Sequence, residues 1–247
     1  MPEYSILIVE DDPIISRVLV SIVREGGFNL QTPVNSGEQV IEQVALERPD
    51  LVLMDIDLPG IMSGIDAASV LFNIFSIPVV FVTGHDEKEF LNKAITSMPF
   101  GFLIKPVNPN ILTSTISVSI SLAENIKRTN EGVKAGLSQI MQSRINEGRI
   151  PVVLTDAQNR TIWTNQAAEE FLELTGSELF YKDFFEFVKD RSVFSDLANN
   201  MREVEEGEWS FKIADTTQNN EFLITGEPIS NLFGDHSGTF ISIGACD

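Results

Sequence analysis

Thiols and imidazoles are scarce in this chain. Among 247 residues there is one cysteine, Cys246, and there are two histidines, His85 and His236. A lone thiol excludes an internal disulfide framework and suits a reducing compartment. Long apolar runs are also missing: no stretch approaches the roughly 20 residues needed to span a bilayer. The start, MPEYSILIVEDD, turns acidic after a short apolar segment and does not read as a signal peptide. The expectation is a soluble cytoplasmic protein with no membrane partner. Positive charge is the third deficit, with 17 Lys and Arg against 36 Asp and Glu, a formal net charge of −19. Residues 1–125 carry 6 basic and 16 acidic side chains, and residues 150–247 carry 6 and 18. Both halves therefore repel phosphate backbones on average. Only residues 126–149, with 5 basic and 2 acidic, lean positive. The acid reads as solvated surface.

Apolar residues are plentiful, at 43%, and the length fits one large domain or two ordinary ones with real cores. The first half alternates. Short apolar runs rich in Ile and Val (SILIV, FNLQTPV, DLVLMD, PVVFVTG, FGFLIKP) read as strands. Between and after them lie segments of helical spacing: PIISRVLVSIVREGG, SGEQVIEQVALERP, GIDAASVLFNIFS, EKEFLNKAITSM and a helix opening at NPNILTSTISVSISLAENI. Asp12 and Ser36 are natural N-caps, Pro13 suits a first helical position and Gly26 a stop. Five strands alternating with five helices predict a doubly wound parallel α/β sheet.

In such sheets ligands bind beyond the carboxyl ends of the strands. Glu10, Asp11 and Asp12 follow the first strand, Asp55 the third, Thr83 lies at the end of the fourth and Lys105 of the fifth. Clustered carboxylates repel unless a hard cation with oxygen ligands joins them, and Mg²⁺ fits with few protein ligands. Asp11 and Asp55 can ligate it. Asp55, charged and metal-bound, can then receive a phosphoryl group as an acyl phosphate, with Lys105 and Thr83 donating to the phosphoryl oxygens.

These stretches (ILIVEDDP, LVLMDIDLPG, VVFVTG and FGFLIKP) closely resemble the response-regulator receiver domain over residues 1–125. The resemblance implies a flavodoxin-like five-stranded fold with Asp55 as phosphoacceptor. It implies Mg²⁺ held by Asp11, Asp55 and the Asp57 backbone carbonyl, with Glu10 acting through a metal-bound water. Thr83 and Phe102 match the switch pair, Lys105 the phosphate-contacting lysine, and Lys105–Pro106 a cis bond. The loop LPGIMSGID is one residue longer than the common form and resembles a sub-type with an MDG-like turn, where Ser63 replaces the acid. His85 lies two residues past Thr83; it reads as an exposed loop histidine or as a modulator of phosphoryl lifetime.

Residues 126–149 read as a helical connector. A stripe at spacings of four and three runs Leu112, Ile116, Ser119, Ala123, Ile126, Asn130, Val133, Leu137, Ile140, like a coiled-coil seam that would pair two chains. The other reading packs Leu112 to Leu122 on its own sheet, and Gly132 and Gly136 favour it.

Residues 150–247 read as a hairpin (IPVVLTDA, RTIWTNQ), short helices, a longer helix SVFSDLANNMREVEEG and three strands. VVLTDAQNRTIWTNQAAEEFL and ISNLFGDHSGTFISIGA resemble the opening and closing of a PAS domain, an α+β fold with an antiparallel sheet, with Asp156 and Asn165 at its marked positions. His236 falls in a predicted turn and Cys246 at the end, so neither haem nor covalent flavin is expected. Phe171, Phe180, Tyr181, Phe184, Phe185 and Phe187 read as core or as the lining of a ligand cavity.

The expectation is a phosphorylation-dependent response regulator with a histidine kinase partner. It is not an enzyme beyond its own phosphoryl transfer and hydrolysis. Its output would be regulation of transcription or of a partner protein, with DNA reached through that partner or the basic connector, and a homodimer is expected. Rival readings are a phosphate sink or adaptor, and a PAS ligand sensor gating the receiver.

Overall fold

The computed structural model describes residues 4–84, 99–129, 141, 143–145, 148–189, 209–215, 220–231 and 235–245. The chain divides into two units, Met1–Val133 and Lys134–Asp247. His85, Asn130, Val133, Leu137, Ile140, Cys246 and the helices anticipated at EKEFLNKAITSM and SVFSDLANNMREVEEG lie outside the described residues.

In the first unit, strands β1 (Ser5–Val9), β2 (Asn29–Leu30), β3 (Leu51–Met54), β4 (Val79–Thr83) and β5 (Gly101–Ile104) form one sheet in the order β2-β1-β3-β4-β5. Every pairing is parallel. Helices α1 (Pro13–Glu25), α2 (Gly37–Leu46), α3 (Gly64–Asn73) and α4 (Pro109–Thr129) connect and follow the strands. The second strand is shorter than the run FNLQTPV suggested: after Leu30 only a single bridge, Val9 to Val34, continues the ladder.

The helix ends follow their sequence signals. Asp12 caps α1 by accepting the amides of Ile14 at 2.7 Å and Ile15 at 3.2 Å, with Pro13 in the first turn. Ser36 caps α2. Ser63, in the lengthened loop, opens α3 with a reciprocal capping box to Asp66.

Alternation along the strands divides the core. Ile6, Ile8, Leu51, Leu53, Val80 and Val82 pack with Leu19, Ile22 and Val23 of α1 and Leu112, Ile116 and Ile120 of α4. Their neighbours Leu7, Val52, Met54 and Phe81 are equally buried and point to the other face. The seam anticipated along residues 112–140 is corrected over Leu112 to Ala123. Leu112, Ile116, Ser119 and Ala123 are buried, and Leu112 and Ile116 belong to the receiver core. The periodicity is that of a sheet-packing face over this stretch.

In the second unit, β6 (Val152–Asp156), β7 (Thr161–Thr164), β8 (Trp209–Asp215), β9 (Asn220–Ser230) and β10 (His236–Ala245) form an antiparallel sheet ordered β7-β6-β10-β9-β8. Helices α5 (Gln166–Leu172), α6 (Gly176–Leu179) and α7 (Phe184–Lys189) lie between β7 and β8 in sequence. Val153, Ile224, Ile241 and Ile243 pack with Ala168, Leu172, Leu179, Phe184 and Phe185. Phe184 and Phe185 meet edge to face at 5.3 Å. These two aromatics are core, while Phe180 and Tyr181 stack on one another at 6.0 Å. Ahead of β6, Met141 and Ile145 are buried, and Arg144 reaches Glu227 at 2.6 Å and Ser242 at 3.4 Å.

Candidate functional site

A parallel sheet brings all its carboxyl ends to one rim. Val9, Met54 and Phe81 stand in register there, and the residues that follow them in sequence meet. Asp55 leaves β3 buried at 6% exposure, its amide still donating to the Val9 carbonyl at 2.9 Å. One carboxylate oxygen, Oδ1, accepts the amides of Ile56 at 2.7 Å and Asp57 at 3.4 Å. The other, Oδ2, accepts from Lys105 Nζ at 2.6 Å. Lys105 also lies 2.7 Å from Glu10 Oε2. That oxygen is buried, and among the described residues its close contact is the ion pair with the ammonium.

The charges shift one another. Burial pushes the Glu10 carboxyl up, and the neighbouring Asp55 charge adds to this against the pull of Lys105. Burial pushes the Lys105 ammonium down, but Asp55 and Glu10 outweigh it and hold it above its ordinary value.

Glu10, Asp11 and Asp55 each offer a carboxylate oxygen, all within 4.8 Å of one another. Three acids face one ammonium, so negative charge is in excess. The donors are all hard oxygens, Glu10 Oε2 is buried without a hydrogen bond among the described residues, and Asp11 is open to solvent. This set fits a small divalent cation that keeps several waters, the habit of Mg²⁺.

Thr83 closes β4, fully buried, and its carbonyl accepts the Lys105 amide at 2.8 Å. Phe102 pairs across with Phe81, ring centroids 6.4 Å apart. The Lys105–Pro106 bond is cis. Asp57 is exposed in the loop after Asp55, and Asp12 serves as a helix cap.

Three residues went unread in the sequence. Glu38, on α2, accepts the amides of Ile61 at 2.6 Å and Met62 at 3.0 Å, clamping the loop after Asp55. Gly60 in that loop has φ of +117°, and a Cβ there would lie 2.5 Å from the Glu38 carboxylate. Gly64 is tighter still: a Cβ would stand 1.9 Å from the Asp55 carbonyl oxygen. The glycines were visible, but only the packing shows what each must avoid.

In the second unit, Asp156 and Asn165 hold backbone. Asp156 Oδ1 accepts the amides of Gln158 and Arg160, each at 2.9 Å, and Oδ2 accepts Arg160 Nε at 2.7 Å. Asn165 caps α5 and ties Val152 and Ile150 to it. His236 begins β10, exposed, where the sequence suggested a turn.

Residues 6–117 match the family described as response regulator receiver domain, and the chain belongs to that family. It is 30% identical over 139 residues to the transcriptional regulatory protein PdtaR of Mycobacterium tuberculosis, spanning 56% of this chain and 67% of PdtaR. It is 32% identical over 120 residues to the DNA-binding response regulator MtrA of Mycolicibacterium smegmatis, spanning 49% of this chain and about half, 52%, of MtrA. Among solved structures it is similar to the signal receiver domain of a modulated diguanylate cyclase from Desulfovibrio desulfuricans G20. That match has 29% identity, covers 49% of this chain and 97% of that one, and has a TM-score of 0.48. The family match and the likeness to PdtaR and MtrA support a two-component response regulator with a receiver domain. Among the described residues, no helix is long and apolar enough to cross a membrane.

Proposed function

We propose that Asp55 is the phosphoacceptor of a phosphorylation-dependent switch fed by a partner histidine kinase. One observation carries this: Asp55 sits at the carboxyl end of a central parallel strand with its carboxylate 2.6 Å from Lys105 and grouped with Glu10 and Asp11. An Asp55 oxygen attacks phosphorus, and the O–P bond forms as the P–N bond to the kinase imidazole breaks. The departing imidazole keeps that electron pair and takes a proton from solvent. Lys105, already paired to Asp55, transfers its contact to a phosphoryl oxygen, and the Thr83 hydroxyl donates to another. Asp11, Asp55 and the Asp57 backbone carbonyl would hold Mg²⁺, with Glu10 acting through a water. When bound, the ion neutralises charge on the transferring oxygens. Thr83 and Phe102 then reorder the face formed by β5 and α4. The self-directed transfer and its hydrolysis are the only chemistry in this reading.

The second unit we read as a PAS domain over 150–247, joined to a receiver over 1–125 by a connector over 126–149. The antiparallel sheet with helices between its second and third strands in sequence supports this. No haem or covalent flavin enters the reading, which runs the signal from α4 through the connector. Exposed Ile111, Val118 and Leu122 on α4, seven and four residues apart, support a homodimer through that helix. The names of PdtaR and MtrA point the output toward transcription. The net charge of −19 favours a protein intermediary over direct contact with duplex DNA.

Beryllofluoride, a phosphoryl mimic, tests the site. Wild type is expected to bind it only with Mg²⁺, and Asp55→Asn not at all, by fluorescence or calorimetry. Light scattering on the same samples reads association. Failure of wild type to bind the mimic would sink the phosphoacceptor assignment.

A further inference from the structure

At the opposite end of the receiver sheet, a cavity of about 170 Å³ opens before β3 and β4. Arg48, Asp50, Ser76, Glu124 and Lys127 supply its polar lining. That volume is well below the roughly 300–1,000 Å³ of pockets for drug-sized ligands. Ser76 is fully buried, its Oγ has no hydrogen-bond partner among the described residues, and its φ is 53°. Left-handed backbone at a non-glycine residue and an orphan buried hydroxyl both call for a compensating contact.

The cations supply the second observation. Arg48 donates from Nη2 to the Ser76 carbonyl at 3.0 Å and has no described carboxylate partner. Lys127 forms no ion pair among the described residues. Burial pushes the Lys127 ammonium down, and the repulsion of Arg48 comes next, ahead of the opposing pull of Asp50 and Glu124. Both side chains reach solvent at the rim, so that penalty is partial. The two acids are committed elsewhere. Asp50 accepts the Ser5 amide at 2.7 Å, and Glu124 accepts the Tyr4 hydroxyl at 3.2 Å and faces Arg128 at 3.8 Å. In a chain so rich in acid, two facing cations that form no ion pair among the described residues stand out.

We propose that this cavity binds a small tetrahedral oxyanion of the phosphate type, between the Arg48 guanidinium and the Lys127 ammonium, with the Ser76 hydroxyl donating from the floor. The anion would tie the segments before β3 and β4 to the last turn of α4. The site is independent of Asp55, which lies at the other end of β3.

Inorganic phosphate is the probe, titrated calorimetrically into the full chain in EDTA, against chloride at matched ionic strength. Wild type is expected to show one saturable site. Loss of one charge-assisted contact in Lys127→Ala should weaken it about tenfold. Ser76→Ala should weaken it less, and Asp55→Asn should bind as wild type. No saturable heat beyond the chloride control would overturn the proposal. So would wild-type affinity in both Lys127→Ala and Ser76→Ala, or loss of binding in Asp55→Asn.

Discussion

Gly64 stands where α3 begins, directly against the Asp55 carbonyl oxygen. A methyl group there must displace backbone, not a flexible side-chain end. Gly64→Ala is expected to cost about 1–3 kcal/mol or more and to weaken Mg²⁺-dependent beryllofluoride binding, read by thermal denaturation and titration. Glu38 holds the same loop by charge. Burial pushes its carboxyl up, but its own amide, those of Met62 and Ile61 and the Ser36 hydroxyl together pull it below its ordinary 4.5. A carboxyl lowered on folding adds stability that is present above the unfolded value and lost as pH falls through the folded one. Glu38→Gln should therefore be less stable than wild type near neutrality. The gap should close as pH drops below 4.5, in denaturant melts at stepped pH.

Helix α4 shows how one element carries two apolar stripes. Leu112, Ile116 and Ile120 are buried on the sheet, whereas Ile111, Val118 and Leu122 are exposed by 47–65%. Ile116→Ala should cost about 2–5 kcal/mol through a core cavity. Val118→Ala should leave monomer stability within about 0.5 kcal/mol, so any loss of light-scattering mass in that variant reports association. In the second unit, Arg144 is fastened to Glu227 on β9, with 33% and 22% of their side chains exposed. A double-mutant cycle on this partly exposed pair should give a coupling of roughly 0.2–1 kcal/mol, screened by salt.

On the scale of the whole molecule, two units with separate cores share one chain. A ligand of the receiver rim stabilises only the state that binds it. Saturating Mg²⁺ and beryllofluoride, at about 100 times the dissociation constant, should add about 2.7 kcal/mol to the receiver unit. Hydrogen exchange should show that protection in β1, β3 and β4 and leave β6, β9 and β10 unchanged.

The sequence by itself determined the periodicities, and with them the parallel order of the first half and the antiparallel strands of the second. It also named the rim, because a parallel sheet must deliver Glu10, Asp11, Asp55, Thr83 and Lys105 to one end once each is seen to close or follow a strand. Caps at Asp12 and Ser36 were legible for the same local reason. Contacts between residues far apart in sequence were not. A stripe on α4 looks the same whether it meets a sheet or a second helix, and only packing assigned Leu112, Ile116, Ser119 and Ala123 to the interior. The Glu38 clamp spans 23 residues to Ile61, and the Arg48–Ser76 contact spans 28. No local propensity encodes such pairs, because their partners become neighbours only when the sheet has brought its loops together.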